Sequence, residues 1–84
     1  MKTVTVRYFA SIREAVGQGS ERVSTDAPTL AALRDELIAR GGAHAAALAR
    51  GKAVRMALDQ VMSEESAVLT DGAEVAFFPP VTGG

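Results

Sequence analysis

Residues 27–42, APTLAALRDELIARGG, decide the fold class because they are the clearest helix in the sequence. Thr29 follows a proline and can cap a helix, since its hydroxyl can accept a hydrogen bond from an amide of the first turn. Arg40 stands in the last predicted turn, and Gly41 or Gly42 can end the helix. Apolar residues at helical spacing form one stripe that another layer must cover. The stripe consists of Leu30, Leu33, Leu37 and Ile38.

Two strands are predicted before this helix. Residues 3–10, TVTVRYFA, alternate between two faces, as β-strands do. One face carries Val4, Val6 and Tyr8, and the other carries Thr5, Arg7 and Phe9. Residues 20–25, SERVST, predict a second strand. A short helical turn over residues 11–17 and the turn-prone GQGS stretch separate the two strands, which suggests a hairpin.

The second half of the chain predicts one further helix and three short strands. Residues 43–51, AHAAALARG, favour a shorter helix, and residues 53–60, AVRMALDQ, alternate as a strand that ends in an Asp59-Gln60 turn. Residues 61–66 form a short edge segment. The turn at Asp71-Gly72 precedes a last strand, which ends at about Phe78 because Pro79 lacks an N–H for ladder pairing.

This order of elements predicts an α+β fold in one domain. A hairpin, a main helix packed on one face and further strands make a mixed sheet with a single helical cover. The first and last strands of such an arrangement commonly pair in parallel at the centre, which is the β-grasp, ubiquitin-like layout. Other ββαβ orders remain open at this point. We expect the domain to span residues 1–78 and a flexible, extended tail to span residues 79–84.

Composition narrows the possible functions. The 84 residues carry a net charge of −1, so no overall electrostatic attraction to nucleic acid or to an anionic membrane is expected. The nearest basic group, Arg50, Lys52 and Arg55, is interpreted as a solvated face. No apolar run approaches the length of a membrane span, and the N-terminus does not resemble a signal peptide. We therefore expect a cytoplasmic protein.

Reactive side chains are scarce. The sequence contains no cysteine, which excludes disulfides, cysteine-type zinc sites and sulfur carriage on a thiol. The single histidine, His44, lies in an alanine-rich run and is expected on the surface of a helix rather than at a metal or a catalytic base. We therefore expect no metal site, and chemistry would have to come from elsewhere in the chain.

The C-terminal segment, residues 76–84, AFFPPVTGG, is unusual for a chain end. Two prolines favour an extended direction, and two β-branched residues follow them. The last two glycines carry no side chains, so they can pass through a channel too narrow for any Cβ atom. Such a tail can deliver its carboxylate to a buried site for activation as an acyl-adenylate. The residues of this tail are Pro79, Pro80, Val81, Thr82, Gly83 and Gly84.

Three stretches resemble one known family. Residues 71–84, DGAEVAFFPPVTGG, resemble the C-terminal motif of the small subunit of molybdopterin synthase, the MoaD-type sulfur carriers. Residues 6–17, VRYFASIREAVG, and residues 28–37, PTLAALRDEL, resemble the first strand with its following turn and the helix of that family. One departure is the Asp59-Gln60 turn, where relatives often have Asn-Gln; aspartate serves similarly in turns.

The resemblance implies a mechanism. An E1-like adenylating enzyme would use ATP to adenylate the carboxylate of Gly84, which then becomes a thiocarboxylate, and no cofactor would be permanently bound. The tail would insert into the large subunit and pass sulfur to cyclic pyranopterin monophosphate, in an assembly of two large and two small subunits. Catalytic side chains are expected in the large subunit. The resemblance also implies an apolar docking patch formed by Phe9, Met62 and Phe78.

Other functions use the same tail chemistry. A ubiquitin-like modifier would join Gly84 to lysines of other proteins, and a sulfur carrier for another pathway, such as thiamine synthesis, also ends in Gly-Gly. A plain interaction module with an incidental tail is the remaining alternative. The tail alone does not separate these possibilities.

Overall fold

The computed structural model describes residues 1–80. The chain forms eight elements in the order β1-α1-β2-α2-α3-β3-β4-β5. The five strands are β1 (Lys2–Tyr8), β2 (Ser20–Thr25), β3 (Arg55–Leu58), β4 (Val61–Ser63) and β5 (Glu74–Phe78). The three helices are α1 (Ala10–Val16), α2 (Leu30–Ala39) and α3 (Gly42–Leu48). Each predicted element is present, and β5 ends at the predicted residue, immediately before Pro79.

The strands form one mixed sheet in the order β2-β1-β5-β3-β4. The last strand therefore lies at the centre, where it pairs in parallel with β1, with Val6 opposite Val75 and Tyr8 opposite Phe77. All other strand pairs are antiparallel. This topology confirms the predicted parallel pairing of the first and last strands, and it confirms β4 as an edge strand.

The core lies between the sheet and the helices on one face of the sheet. The predicted face of β1 is buried, and Val75 and Phe77 of β5 continue it. Leu30, Leu33 and Leu37 of α2 are buried against these strands, whereas Ile38 is only half-buried at the margin. Helices α1 and α3 complete the cover with buried side chains of their own, so the main helix does not act alone. These side chains are Ile12, Ala47 and Leu48.

The ends of α2 follow its sequence signals. The Thr29 hydroxyl accepts a hydrogen bond from the amide of Ala32 at 3.2 Å, as an N-cap does. Gly41, rather than Gly42, ends the helix: its φ of 75° is in the left-handed region, and its amide donates to the carbonyl of Ile38 at 3.0 Å. The same glycine is the N-cap of α3, which begins at Gly42.

Two tight turns fix the position of β5. Asp59 and Gln60 both have positive φ, 50° and 70°, as a two-residue hairpin loop requires. The Asp59 carboxylate accepts a hydrogen bond from the amide of Glu74, and its own amide donates to the carbonyl of Glu74. Asp71 likewise accepts a bond from the amide of Thr3 at 2.8 Å. Each aspartate side chain thus joins a turn to a neighbouring strand.

Arg34 is buried, which its place in the helix sequence does not predict. Its Nε donates to the carbonyl of Leu48 at 2.8 Å, and one of its terminal nitrogens donates to the carbonyls of Ala49 at 2.9 Å and Lys52 at 3.2 Å. The other terminal nitrogen meets the carboxylate of Glu65 at 3.2 Å. The guanidinium therefore holds the segment between α3 and β3 against α2.

We expect Arg34→Met to lower the free energy of unfolding by about 2–4 kcal/mol, because it leaves buried carbonyls without a donor. Arg50→Met is the matched control, since the Arg50 side chain is 42% exposed in its pairs with Asp35 and Glu65. It should cost less than about 1 kcal/mol. Urea unfolding followed by circular dichroism measures both, and equal losses would contradict the assignment.

Candidate functional site

The sheet face opposite the helices, here called the open face, is the candidate docking surface. Side chains alternate along each strand, so the residues next to the buried ones point to this face. The register of the strands decides which residues are neighbours on this face. Ala57 lies opposite Met62 on one side and Ala76 on the other, and Arg55 lies opposite Phe78. The open face thus combines a central apolar strip with arginine side chains.

The structure brings together the three residues that the resemblance implied for docking. Tyr8 is paired with Phe77, so the next residues along the two parallel strands, Phe9 and Phe78, are neighbours. Phe9 is 38% exposed and Met62 is 59% exposed, while Phe78 is half-buried. Ala57 and Ala76 connect the phenylalanine pair to Met62 across the sheet. Their shared face is compatible with docking, which stays a prediction.

Arginines flank this apolar strip. The Arg7 guanidinium carbon lies 5.3 Å from the centre of the Phe9 ring, a cation–π distance, and Arg7 pairs with Glu74 at 3.9 Å. Arg55 is exposed beside Phe78. The alternation of β1 already placed Arg7 with Phe9 in the sequence. The position of Arg55 could not be predicted, because it depends on which strand pairs with β5.

The three basic residues interpreted as a solvated face, Arg50, Lys52 and Arg55, are all exposed, as expected, although they do not share one side of the sheet. Arg50 lies on the helical side, where its Nε donates to Asp35 at 3.0 Å and a terminal nitrogen donates to the carbonyl of Ala31. Arg55 belongs to the open face instead. The two arginines differ because Arg55 lies in β3, which pairs with β5, whereas Arg50 follows α3 and contacts α2.

The tail begins at the same end of the sheet as the docking patch. Pro79 and Pro80 follow β5 without regular secondary structure, and both are half-buried. The amide of Phe9 donates to the carbonyl of Phe77 at 3.1 Å, which is the last main-chain bond between β1 and β5 before the prolines. The other predicted tail residues, Val81, Thr82, Gly83 and Gly84, lie outside the described residues.

A polar cluster lies behind this end of the sheet. The Glu21 carboxylate accepts a hydrogen bond from the Tyr8 hydroxyl at 2.7 Å and pairs with Arg40 at 2.8 Å. His44 Nε2 lies 2.9 Å from the same carboxylate, and its ring meets the Tyr8 ring edge-on. Tyr8 in turn stacks on Phe77, with 6.3 Å between ring centres. The cluster therefore supports the end of β5 from within.

The expectation that His44 is a surface residue is wrong. It does lie in a helix, but its side chain is only 16% exposed, because α3 packs against α1 and α2 and the His44 ring contacts the ring of Tyr8. No sequence signal relates His44 to Glu21, since 23 residues separate them. A buried tyrosine hydroxyl needs a hydrogen-bond partner. The position of Tyr8 on the apolar face of β1 is therefore the sequence signal that indicates a buried polar group nearby.

The pKa values of Glu21 and Tyr8 in this cluster differ from their ordinary values. Burial by itself raises the pKa of Glu21, but the hydrogen bonds from Arg40, Tyr8 and His44 outweigh it and lower the pKa to about 2. Burial raises the pKa of Tyr8, and the Glu21 carboxylate raises it further. Glu21 is therefore ionised at neutral pH, and Tyr8 remains a neutral donor.

Two kinds of site are absent from residues 1–80. No group of three or more histidine, cysteine, aspartate or glutamate side chains is arranged to hold a metal ion within that range. Among the same residues, no helix is long and apolar enough to cross a membrane.

The sheet order, with a parallel last strand at its centre and helices on one face, defines a β-grasp, ubiquitin-like protein. Residues 6–84 match the family model described as the ThiS family, and the chain belongs to that family. It is 46% identical over 81 residues to the molybdopterin synthase sulfur carrier subunit of Escherichia coli K12, an alignment that covers 96% of this chain and 99% of the relative.

Solved structures agree on the fold. SAMP1 from Haloferax volcanii superimposes with a TM-score of 0.76 at 25% identity, and the match covers 98% of this chain and 99% of that chain. A second match is a chain of the protein–protein complex of subunits 1 and 2 of molybdopterin-converting factor from Helicobacter pylori. Its TM-score is 0.66 at 25% identity, with 98% and 99% of the two chains covered.

We expect acid to destabilise the protein through Glu21. A carboxyl group whose pKa falls from 4.5 to about 2 on folding stabilises the fold fully above pH 4.5, and this contribution disappears as the pH falls toward 2. Glu21→Gln should lower the free energy of unfolding by about 2 kcal/mol at pH 7, where Glu21 of the wild type is charged and forms its ion pairs.

Urea unfolding at several pH values between 7 and about 2 tests this expectation. The difference in unfolding free energy between wild type and Glu21→Gln should shrink as the pH falls from 4.5. Glu14→Gln is the control, because Glu14 is exposed on α1 and makes no ion pair within residues 1–80. A difference that is constant over this pH range would contradict the role of Glu21.

Proposed function

We propose that this chain is the sulfur-carrier small subunit of molybdopterin synthase. The observation that carries the proposal is the end of β5: the central strand stops beside exposed Phe9 and half-buried Phe78, six residues before the terminal carboxylate of Gly84. The fold thus joins an apolar docking surface to a short tail. The similarity to a sulfur carrier subunit over nearly the full length supports the same function.

The chemistry takes place at the main-chain terminus. The Gly84 carboxylate attacks the α-phosphate of ATP, pyrophosphate leaves, and an acyl-adenylate forms on an E1-like activating enzyme. A sulfur donor then displaces AMP and leaves a thiocarboxylate. The sequence contains no cysteine, so a thiol of this chain cannot hold the sulfur. ATP belongs to the activating enzyme in this scheme, and the carrier itself has no resident cofactor.

Sulfur delivery requires the large subunit. The tail enters its active site, where the thiocarboxylate sulfur bonds to a carbon of cyclic pyranopterin monophosphate and displaces the oxygen substituent of that carbon. Water then cleaves the acyl–sulfur bond of the resulting thioester, which leaves the sulfur on the pterin and returns the Gly84 carboxylate. Two deliveries make the dithiolene, and catalytic side chains belong to the large subunit. The complex of subunits 1 and 2 from Helicobacter pylori, one chain of which shares this fold, supports such a partner. Two large and two small subunits are the proposed assembly, in the cytoplasm where ATP is available.

The tail residues have distinct parts in this scheme. Pro79 and Pro80 direct the chain away from the sheet because their φ angles are restricted. Val81 and Thr82 are β-branched, a residue type that favours extended backbone, and Gly83 has no side chain that would widen the approach of Gly84 to the substrate.

A ubiquitin-like modifier is the second candidate. The match to SAMP1, which belongs to the small archaeal modifier proteins, favours it. Both functions begin with the same acyl-adenylate and differ in the nucleophile that attacks it. A sulfur donor gives a thiocarboxylate, whereas a lysine gives an isopeptide bond to another protein. Carriage of sulfur for another pathway, such as thiamine synthesis, would share the thiocarboxylate but not the large subunit.

We expect the intact mass of the chain to rise by the difference between sulfur and oxygen after incubation with ATP, a sulfur donor and the activating enzyme. A variant that lacks Gly84, and one extended by a residue beyond it, should keep the fold but gain no sulfur and support no molybdopterin synthesis. The melting temperatures of both variants serve as the folding control. Covalent ladders on other proteins without a thiocarboxylate would favour the modifier instead.

We expect Phe78→Asp to weaken binding to the large subunit by at least about 100-fold, since a buried carboxylate replaces an apolar anchor of the interface. Val68→Asp is the matched control, because Val68 is 67% exposed and lies beside the start of α2 rather than on the open face. Isothermal titration calorimetry with the large subunit measures both variants. Unchanged affinity of Phe78→Asp would place the interface elsewhere.

A further inference from the structure

The arginines of the two sheet faces differ in how their charges are balanced. On the helical side, Arg34, Arg40 and Arg50 each form an ion pair with a carboxylate, whereas Arg13 of α1 forms none within residues 1–80. The open face carries three further arginines, and one carboxylate there, Glu74, forms an ion pair with one of them. The three are Arg7, Arg22 and Arg55. Positive charge is thus left over around the apolar strip, although the whole chain carries −1.

Arg55 and Arg22 are the two arginines of this face without a close carboxylate. Both are exposed, and within residues 1–80 no carboxylate lies within 4 Å of either guanidinium. Arg55 pairs across the strands with Phe78, and Arg22 pairs with Thr5 on the other side of the strip. Arg7 differs, because it is held by Glu74 and by the Phe9 ring.

The surroundings of Arg55 also offer a place for a partner side chain. A surface groove of about 390 Å³ opens at this edge of the sheet, and its lining includes Arg55, Val54, Met56 and Met62. Glu64 and Glu65 also line the groove, but neither forms an ion pair with Arg55, and Glu65 pairs with Arg34 and Arg50 instead. The groove is continuous with the docking patch through Met62, so a surface that covers Phe78 and Met62 also covers Arg55.

On the basis of the proposed function, we propose that the open face recognises an apolar surface of the large subunit that is bordered by carboxylates, and that Arg55 determines this specificity by forming an ion pair there. A guanidinium beside Phe78 loses water when the patch is covered, and that loss is unfavourable unless a carboxylate replaces the water. Opposite charges on the two surfaces also speed the encounter of the partners. Like charges disfavour binding of a wrong partner.

The test is the affinity of the full chain for the large subunit at low and at high salt. Arg55→Glu should weaken binding by at least about tenfold at 50 mM NaCl, and by less than about threefold at 500 mM NaCl, because salt screens exposed charges. Arg55→Lys should stay near the wild type at low salt. Phe78→Ala should weaken binding at both salt concentrations, because its contribution is apolar.

Arg13→Glu is the matched control for charge. It makes the same change in net charge on exposed helix α1, away from the open face, and should change affinity by less than about twofold. Equal effects of Arg13→Glu and Arg55→Glu would overturn the proposal, since they would show general charge attraction. So would wild-type affinity of Arg55→Glu at low salt.

The outcomes separate this inference from the proposed function. If the wild-type chain does not bind the large subunit, the proposed function fails. If the wild type binds and Phe78→Ala weakens it while Arg55→Glu does not, the function stands and the inference about Arg55 is wrong. Binding of single-stranded RNA that Arg55→Glu abolishes, with unchanged binding to the large subunit, would also overturn the inference, because the arginines would then serve another ligand.

Discussion

The parallel pairing of β1 with β5 is the constraint on which the rest of this structure depends. It places the last strand of the chain in the centre of the sheet, with a neighbour on each side. The register of that pairing sets Tyr8 beside Phe77 inside and Phe9 beside Phe78 outside. A shift of one residue would exchange the two faces. The docking patch and the starting point of the tail are therefore set by one strand pair.

The two faces of this strand end have different tasks. Inside, Tyr8 stacks on Phe77 and donates to Glu21, whose charge is held by Arg40 and His44. These contacts pack the end of a central strand against the helical side, although the chain leaves the sheet immediately afterwards. Outside, the side chains remain exposed for a partner. A stable base for a short reactive tail is what the proposed sulfur transfer needs, because the reacting group must reach a defined point.

Much of the fold could be predicted because it depends on local signals. The cap at Thr29, the turn at Asp59-Gln60 and the stop at Pro79 each act within a few residues, and all three are where the sequence places them. The contacts that could not be predicted form between residues far apart in the sequence. His44 and Glu21 meet across 23 residues, and Arg55 joins the open face only because β3 pairs with β5. Family resemblance implies a docking patch formed by Phe9, Met62 and Phe78. The strand register explains why these residues share a face.

In the proposed function, the sulfur is bonded to the terminal carbonyl carbon of Gly84 as a thiocarboxylate. The most direct measurement is a single turnover in which the chain, loaded with radiolabelled sulfur at its terminus, is mixed with the large subunit and cyclic pyranopterin monophosphate. We expect the label to leave the chain and to appear in the pterin product at the rate of product formation. Label that stays on the chain while product forms, or label that moves to other proteins, would contradict it.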